Sequence, residues 1–310
     1  MLIEVSKNQY RKHFPHDPHP YITEGFIGLV EHKTDKIVRL IDSDDKVSIG
    51  LIAGVKDNIL CSPFSAPFGG FHSIHDDVFY SDIYNFLVQL KEYAVNQSLK
   101  MMTITLPPNI YNSSINAKFV NAFVRTGYTM EIPDIVNGVD LNLFNGTWER
   151  KKVVEAYKSA VRNDMTFSNL TDEKLMEEAY EIIVNNRIMQ DRNIYLSFSD
   201  LMEVNKLFPV DFFSVKNSEG LSVGAGVFYR GYKKIVQGIF MGDLIPRKAA
   251  GVIDFLILNI YNHYKKLGFE YIDTGLSSKL GIPNEGLIRF KEIHNSISSL
   301  RYTFTWRPED

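Results

Sequence analysis

The feature of this sequence that most constrains its fold is an internal repeat of domain size. Residues 47–55 form a run of β-branched, apolar and small residues after a polar turn, and residues 221–229 form a run of the same kind after another polar turn. Each run has the pattern of the second strand of a β-hairpin. The same pattern in each half of the chain predicts that one structural unit occurs twice.

The segments that follow the two hairpins also match. Each half continues with a short strand and then an amphipathic helix, in which apolar residues recur three, four and seven positions apart. These residues are Ile83, Phe86, Leu87, Leu90 and Ala94 in the first half, and Ile253, Leu256, Ile257, Ile260 and Tyr264 in the second. An extended run, a short helix and a last strand then close each half, at residues 101–141 and 270–306. This order predicts a mixed sheet in which a helix crosses between two parallel strands.

The domain boundary is placed after the first copy. Two helical patterns, at residues 148–163 and 171–187, separate the copies, and we assign them to the start of the second domain. The sequence therefore predicts two domains, residues 1–147 and residues 148–310.

Local signals predict where three helices begin or end. Ser81 and Asp82 are expected to cap the helix of the first repeat, and Gly268 is expected to stop the helix of the second. Ser199 is expected to cap a further short helix that ends before Pro209.

Composition limits the class of protein. With 310 residues, 45% of them hydrophobic, the chain is globular with a sizeable core. The single cysteine, Cys61, excludes an intrachain disulfide and fits a reducing compartment. There is no signal-peptide pattern and no apolar stretch of about 20 residues, and a net charge of -3 gives no global field for binding DNA. The sequence predicts a cytoplasmic protein with no transmembrane segment and no DNA partner.

Two local motifs and the order of elements carry a resemblance to a known family. Residues 62–71 read SPFSAPFGGF, and residues 271–275 read YIDTG ahead of NEGLIRFK at residues 284–291. The order of elements resembles the GNAT superfamily of acyl-CoA N-acyltransferases, and two such units in tandem resemble the Fem family of peptidoglycan-bridge aminoacyltransferases. The resemblance implies an α+β fold of two tandem GNAT-like domains, each a mixed, partly antiparallel sheet with flanking helices. It also implies a degenerate first domain on the acceptor side and a second domain that holds the donor.

The resemblance leaves three functions open. The first is a GNAT-type acyltransferase that moves an acyl or aminoacyl group from a carrier, with acyl-CoA as co-substrate, to the amine of a small molecule or a cell-wall precursor. The second is a Fem-like transferase that takes the group from aminoacyl-tRNA. The third is a protein without catalysis that binds a nucleotide-sugar or a peptide. Residues 247–252 (RKAAGV) lack the glycine spacing of the acyl-CoA enzymes, and no heptad run forms the coiled-coil arm found in many Fem enzymes.

The junction between a strand and a helix at residues 243–251 is the predicted donor site. A helix N-terminus offers unpaired N–H groups and a partial positive charge to a phosphate, and two basic residues precede the helix here. The candidate cofactor-binding residues are Leu244, Ile245, Arg247, Lys248 and Gly251. The alternative is an ordinary capped loop whose basic residues are solvated.

A long connection, residues 62–80, is a second candidate site. It is rich in proline, glycine and aromatic residues, and loops of this length are often functional. The sequence predicts a packed loop in which five residues contact the substrate, namely Ser62, Phe64, Phe68, Gly69 and Gly70. The alternative is a structural cover over the sheet of the first domain.

Three charged residues complete the predicted site. Asp273 ends a predicted strand beside the crossover helix, where it could accept a proton from the attacking amine or cap the next segment. Resemblance to the Fem pattern makes Lys291 a candidate to bind the phosphate or carboxylate of the acceptor. Arg192, with Arg187 nearby, is a candidate for the same role, and a solvated surface is the alternative for these cations.

The histidines and the cysteine suggest no further site. His13, His16 and His19 recur every third residue and would share one face of a polyproline II segment. A second group comprises His72, His75, Asp76 and Asp77. Neither group has the spacing of a closed ligand framework, so the sequence predicts no metal site. Cys61 lacks basic neighbours and is expected to be a buried structural thiol.

Overall fold

Two mixed β-sheets organise the protein, one in each of two units. The computed structural model describes residues 1–42, 47–74, 78–244 and 251–308. The first unit comprises Met1–Ile135, Ser278–Pro283 and Ser299–Asp310, and the second comprises Val136–Ser277 and Asn284–Ser298.

The helices and strands follow the predicted order. The first half of the chain contains β1 (Leu2–Glu4), α1 (Lys7–His13), α2 (Glu24–Val30), β2 (Lys36–Asp42), β3 (Ile49–Lys56), β4 (Ile59–Ser62), β5 (Phe71–Ser73), α3 (Tyr80–Asn96), β6 (Met101–Thr105), α4 (Ser113–Arg125), β7 (Thr129–Met130) and β8 (Asp134–Asp140). The second half contains α5 (Lys151–Arg162), β9 (Thr166–Leu170), α6 (Glu173–Met189), α7 (Phe198–Asn205), β10 (Val210–Lys216), β11 (Ser222–Tyr229), β12 (Ile235–Asp243), α8 (Val252–Lys266), β13 (Tyr271–Leu276), β14 (Ser278–Lys279), β15 (Ile282–Pro283), α9 (Glu285–Ile293), β16 (Ile297–Arg301) and β17 (Thr303–Trp306).

The two sheets have the same strand order. The first sheet runs β1-β2-β3-β4-β6-β17-β7, with β5 also paired to β3, and the second runs β9-β10-β11-β12-β13-β8-β16. In the first sheet β4 and β6 pair in parallel, and in the second β12 and β13 do so at the same position. Helix α3 connects the first parallel pair and α8 the second, because parallel neighbours need a crossover connection. The predicted α+β class with two repeated mixed sheets is confirmed.

The last strand of each half lies in the other sheet. Strand β8 pairs with β13 in the second sheet, and β17 pairs with β6 in the first. The sequence predicted a last strand for each half without predicting this exchange. An alternating pattern identifies a strand, but its pairing partner depends on contacts that are distant in sequence.

The apolar faces of the two crossover helices are buried as their spacing predicts. In α3 all five predicted residues are buried. In α8 four of the five are buried, and the fifth, Ile253, is half-buried. Burying one such side chain contributes roughly 1.5 to 3 kcal/mol. Each helix is therefore held on its sheet chiefly by this stripe.

Several predicted helix ends differ from the structure. Helix α3 begins at Tyr80 after Phe79, so Ser81 and Asp82 lie in its first turn and do not cap it. Ser197 caps α7 in place of Ser199, because Ser197 and Asp200 form a reciprocal capping box. Gly268 follows α8 with a positive φ of 84°, as predicted for a helix stop.

The first histidine of the predicted polyproline segment lies in a helix instead. A capping box between Ser6 and Gln9 starts α1, which extends to His13. The three histidines therefore do not share one face of an extended segment. Within the described ranges, no helix combines the length and the apolar character needed to cross a bilayer.

Candidate functional site

The second sheet opens between its two parallel strands. Strands β12 and β13 pair only over three residues, from Ile235 with Tyr271 to Gln237 with Asp273. Beyond Gln237, β12 continues to Asp243 in contact with β11. Residues 238–241 are half-exposed although they lie in the middle of a seven-stranded sheet. Beyond Gln237 the sheet is therefore unpaired between β12 and β13, and this unpaired region is called the cleft below.

A β-bulge lies in β12 at the start of this cleft. Val227 of β11 pairs with Phe240, whereas the next residue, Phe228, pairs with Gly238, so Ile239 has no partner in the ladder with β11. A bulge turns the backbone groups of its strand away from the regular ladder. Backbone N–H groups in such a position can stabilise the oxyanion that forms during acyl transfer.

Asp273 closes the narrow end of the cleft. Its side chain is 1% exposed, and it accepts a hydrogen bond from Gln237 Nε2 at 3.1 Å on one oxygen and from the Gly275 N–H at 2.8 Å on the other. Asp273 lies in the middle of β13 and not at a strand end as predicted, at the last position that pairs with β12. Protein donors engage both of its carboxylate oxygens. Its role as a base stays a prediction.

Lys291 lies on the β13 side of the cleft. From α9 its Nζ donates hydrogen bonds to the carbonyl oxygens of Gly275, at 2.8 Å, and Leu276, at 2.9 Å. The residue is 8% exposed, and this burial lowers the pKa of the ammonium to about 8, against the opposing effect of the Asp273 charge. Lys291 is therefore a buried, easily deprotonated amine and not a solvated helix charge.

The described part of the predicted donor site is the start of α8. Gly251 occupies the N-cap with φ of 66°, and a Cβ there would lie 2.0 Å from the carbonyl oxygen of Ala156 in α5, so only glycine fits. Leu244 ends the strand side and donates its N–H to the Val223 carbonyl at 3.0 Å. Ile245, Arg247 and Lys248 lie outside the described residues, and the donor-site assignment stays a prediction.

Two arginines lie at the end of α6, which packs on the far end of β12. Asn186 of this helix donates from Nδ2 to the Asp243 carbonyl at 2.8 Å. The next turn places Arg192 near Arg187, with the Arg192 N–H donating to the Arg187 carbonyl at 2.9 Å. Burial and the neighbouring Arg192 charge lower the pKa of Arg187. No carboxylate in the described ranges forms a salt bridge with either arginine, and binding of the acceptor by Arg192 stays a prediction.

The corresponding gap in the first sheet is closed by the chain itself. Strand β4 pairs with β6 as far as Ser62 with Ile104, and residues 63–70 then enter the gap. Gly69 donates its N–H to the Thr105 carbonyl at 2.9 Å, and Gly70 donates to Ser62 Oγ at 3.2 Å. A Cβ on Gly69 would lie 2.5 Å from Ser62 Oγ, which makes glycine necessary at this position.

The side chains of this loop are mostly buried. Phe68 is 1% exposed and packs against three aromatic rings, those of His19, Tyr21 and Tyr111. Ser62, Gly69 and Gly70 are buried and Phe64 is half-buried. The arrangement matches the alternative of a structural cover, and substrate contact by these five residues stays a prediction.

Two of the histidines hold the N-terminal segment against this loop. His19 Nε2 donates to the Gly69 carbonyl at 2.9 Å, and His72 lies between Tyr10 Oη and Asp17 Oδ1, each at 2.9 Å. Burial lowers the pKa of His19 to about 3 and also lowers that of His72. Both rings thus have a structural explanation.

The described residues offer no cluster of three or more side chains that could hold a metal ion. His75, Asp76 and Asp77 fall outside the described ranges. Cys61 is half-buried, and burial raises the pKa of its thiol, as expected for a structural cysteine.

Sequence reasoning missed Gln237, the bulge at Ile239 and the pairing of His294 with Asp254 across two helices, at 3.1 Å. The largely apolar sequence of β12 contains no signal for the bulge. The polar residue inside an apolar strand was the available signal for Gln237.

Comparison with solved structures relates the whole chain to known folds. FemX covers 99% of this chain and 97% of its own at 10% identity, with a TM-score of 0.69. The C-terminal domain of a putative lysylphosphatidylglycerol synthetase from Agrobacterium fabrum matches 97% of this chain and 92% of its own length at 12% identity, with a TM-score of 0.61. A tandem GNAT protein from the clavulanic acid biosynthesis pathway matches 100% of this chain and 99% of its own length at 9% identity, with a TM-score of 0.54. Searches of protein-family models and of curated sequences find no match. These likenesses establish the fold as two GNAT-like units in tandem.

Proposed function

We propose that this protein is an acyltransferase that moves an acyl or aminoacyl group from a carrier to an amine, with the reaction in the cleft between β12 and β13. The observation that carries the proposal is the contrast between the two units. The second sheet is open beyond Gln237, whereas the equivalent gap of the first sheet is filled by residues 63–70. One unit therefore has room for a donor and the other does not.

In the proposed reaction the amine nitrogen of the acceptor attacks the carbonyl carbon of the donor. The bond from that carbon to the carrier breaks, the amine loses one proton, and the carrier thiol or hydroxyl gains one. Backbone N–H groups at the Ile239 bulge would stabilise the oxyanion, and alignment of the two reactants would supply much of the rate. Asp273 is the proposed acceptor of the amine proton.

The charged residues around the cleft are proposed to bind the two substrates. The start of α8 at Gly251, together with the preceding residues Leu244, Ile245, Arg247 and Lys248, would hold the phosphate groups of the donor. Arg192 and Lys291 would hold a phosphate or carboxylate on the acceptor, which is a small molecule or a cell-wall precursor.

The first candidate donor is acyl-CoA, and aminoacyl-tRNA is the second. A basic surface in the second unit favours the second donor. Arg150, Lys151 and Lys152 are exposed at the start of α5, and this helix packs on Gly251 through Ala156. Three cations near the proposed donor site would suit a polyanion better than a single nucleotide.

Thermal stability in the presence of each donor tests this proposal. A ligand that binds only the folded chain stabilises it by about 2.7 kcal/mol at 100 times its Kd. We expect either acyl-CoA or aminoacyl-tRNA to raise the melting temperature, and Arg150→Ala with Lys151→Ala to reduce the tRNA effect only. Stabilisation by a nucleotide-sugar or peptide alone, with no transfer to any amine, would instead support a protein that only binds.

A further inference from the structure

His294, directly after α9, is almost completely buried and makes two polar contacts. It is 2% exposed. Its Nδ1 lies 2.7 Å from the carbonyl oxygen of Phe290, and its Nε2 lies 3.1 Å from Oδ1 of Asp254. Both partner atoms are oxygens that accept hydrogen bonds. Each ring nitrogen therefore faces an oxygen to which it can donate a hydrogen bond.

The contact joins the end of α9 to the first turn of α8. Asp254 is the third residue of α8. Trp148 covers the contact, because its ring packs edge-on against His294 at 5.1 Å and its indole N–H donates to the Asp254 carbonyl at 3.2 Å. The imidazole contacts the Asp254 carboxylate on α8, and Lys291 lies three residues earlier on α9.

Helix α9 depends on such polar contacts for its position. Of its nine residues only Lys291 is buried, and Phe290 and Ile293 are partly buried against the core of the second unit. Lys291 ties the helix to the end of β13, and His294 ties it to α8. The apolar residues of α9, namely Leu287, Ile288, Phe290 and Ile293, are only half-buried, so loss of either polar contact should let the helix move.

We propose that His294 is a positioning residue whose hydrogen bond to Asp254 fixes α9 and thereby keeps the Lys291 ammonium at the end of β13. The inference deepens the proposed function, since it assigns a residue that orders the same cleft. It links the contact between His294 and Asp254 to the position of the Lys291 ammonium, and both can be followed without any substrate.

The test is the pH dependence of Lys291 labelling by acetic anhydride, read for each lysine by mass spectrometry on the full chain. In the unaltered protein we expect slow labelling of Lys291 with an apparent pKa near the value of about 8. In His294→Ala the released ammonium should become hydrated. Its apparent pKa should rise by about one pH unit or more, and its pH-independent labelling rate should rise about tenfold.

Lys265 is the internal control. Its Nζ also donates to two backbone carbonyls in this unit, those of Leu141 and Phe144, and its labelling should stay within about twofold in every variant. Because Lys265 is exposed, its labelling controls for the reagent and the pH. Equal increases in the labelling of Lys265 and Lys291 would show an effect that is not specific to α9 and would overturn the proposal.

Two variants of Asp254 test whether the hydrogen bond itself, and not only the presence of a histidine at position 294, is needed. Asp254→Asn keeps a group that can bond His294 Nε2, so Lys291 labelling should stay within about threefold of the unaltered protein. Asp254→Ala removes the partner and should reproduce the effect of His294→Ala. Unchanged Lys291 labelling in both His294→Ala and Asp254→Ala would refute the positioning role, whatever reaction the protein catalyses.

Discussion

The buried amine of Lys291 predicts a pH dependence of stability. Burial lowers the pKa of Lys291 from 10.5 to about 8 in the folded protein, so the folded chain holds this proton less tightly than the unfolded chain. Folding is therefore most favoured when the amine is neutral. This gain in the free energy of unfolding is fully present above pH 10.5 and is lost as pH falls toward 8. With about 1.36 kcal/mol per pKa unit, the folded state should gain about 2 kcal/mol from this residue between pH 7 and pH 9.5.

Urea unfolding of the unaltered protein and of Lys291→Met, at pH 7 and pH 9.5, measures this gain. The difference in unfolding free energy between the two proteins cancels the titration of all other groups that the substitution leaves alone. Lys265→Met is a matched control for the loss of a lysine that donates to two carbonyls. A change between the two pH values below about 0.5 kcal/mol, or one no larger than in the control, would refute the reasoning.

Three further predictions concern the cleft and the closed gap. Asp273→Asn should lower kcat by roughly 100-fold to 10,000-fold with little change in KM if Asp273 takes the amine proton, and equal small changes in both constants would remove it from the chemistry. Arg192→Ala should raise KM for an anionic acceptor more than it lowers kcat, which steady-state kinetics with an uncharged acceptor as control would test. Gly69→Ala should destabilise the first unit by about 1 to 3 kcal/mol, because its Cβ would lie 2.5 Å from Ser62 Oγ. Urea unfolding would measure this, and Gly28→Ala, where a Cβ meets no atom within 4 Å, is the control.

Much of the fold could be predicted because it repeats. The helical spacing in α3 and α8 and the alternation in β3 and β11 are local signals, and each is supported by its copy in the other half. The exchange of β8 and β17 could not be predicted, because the sequence of a strand does not specify which sheet it joins.

The candidate site was only partly predictable for the same physical reason. Asp273 and Lys291 could be selected from their motifs. Asp273 lies within β13, and the Lys291 ammonium is bonded to the end of the same strand. Their burial could not be predicted, since it depends on the Gln237 side chain and on the packing of α9. The opening of β12 from β13 is likewise a property of strand pairing, which leaves no mark in the composition of either strand.

Hydrogen exchange of the backbone amides, with and without acyl-CoA or aminoacyl-tRNA, tests most directly whether the donor occupies the cleft of the second unit. We predict that the bound donor slows exchange in residues 238–243 of β12 and in the first turn of α8, and leaves residues 62–71 of the first unit unchanged. Protection confined to residues 62–71, or protection of β4 and β6 in place of β12, would contradict the assignment of an open donor cleft to the second unit and a closed gap to the first.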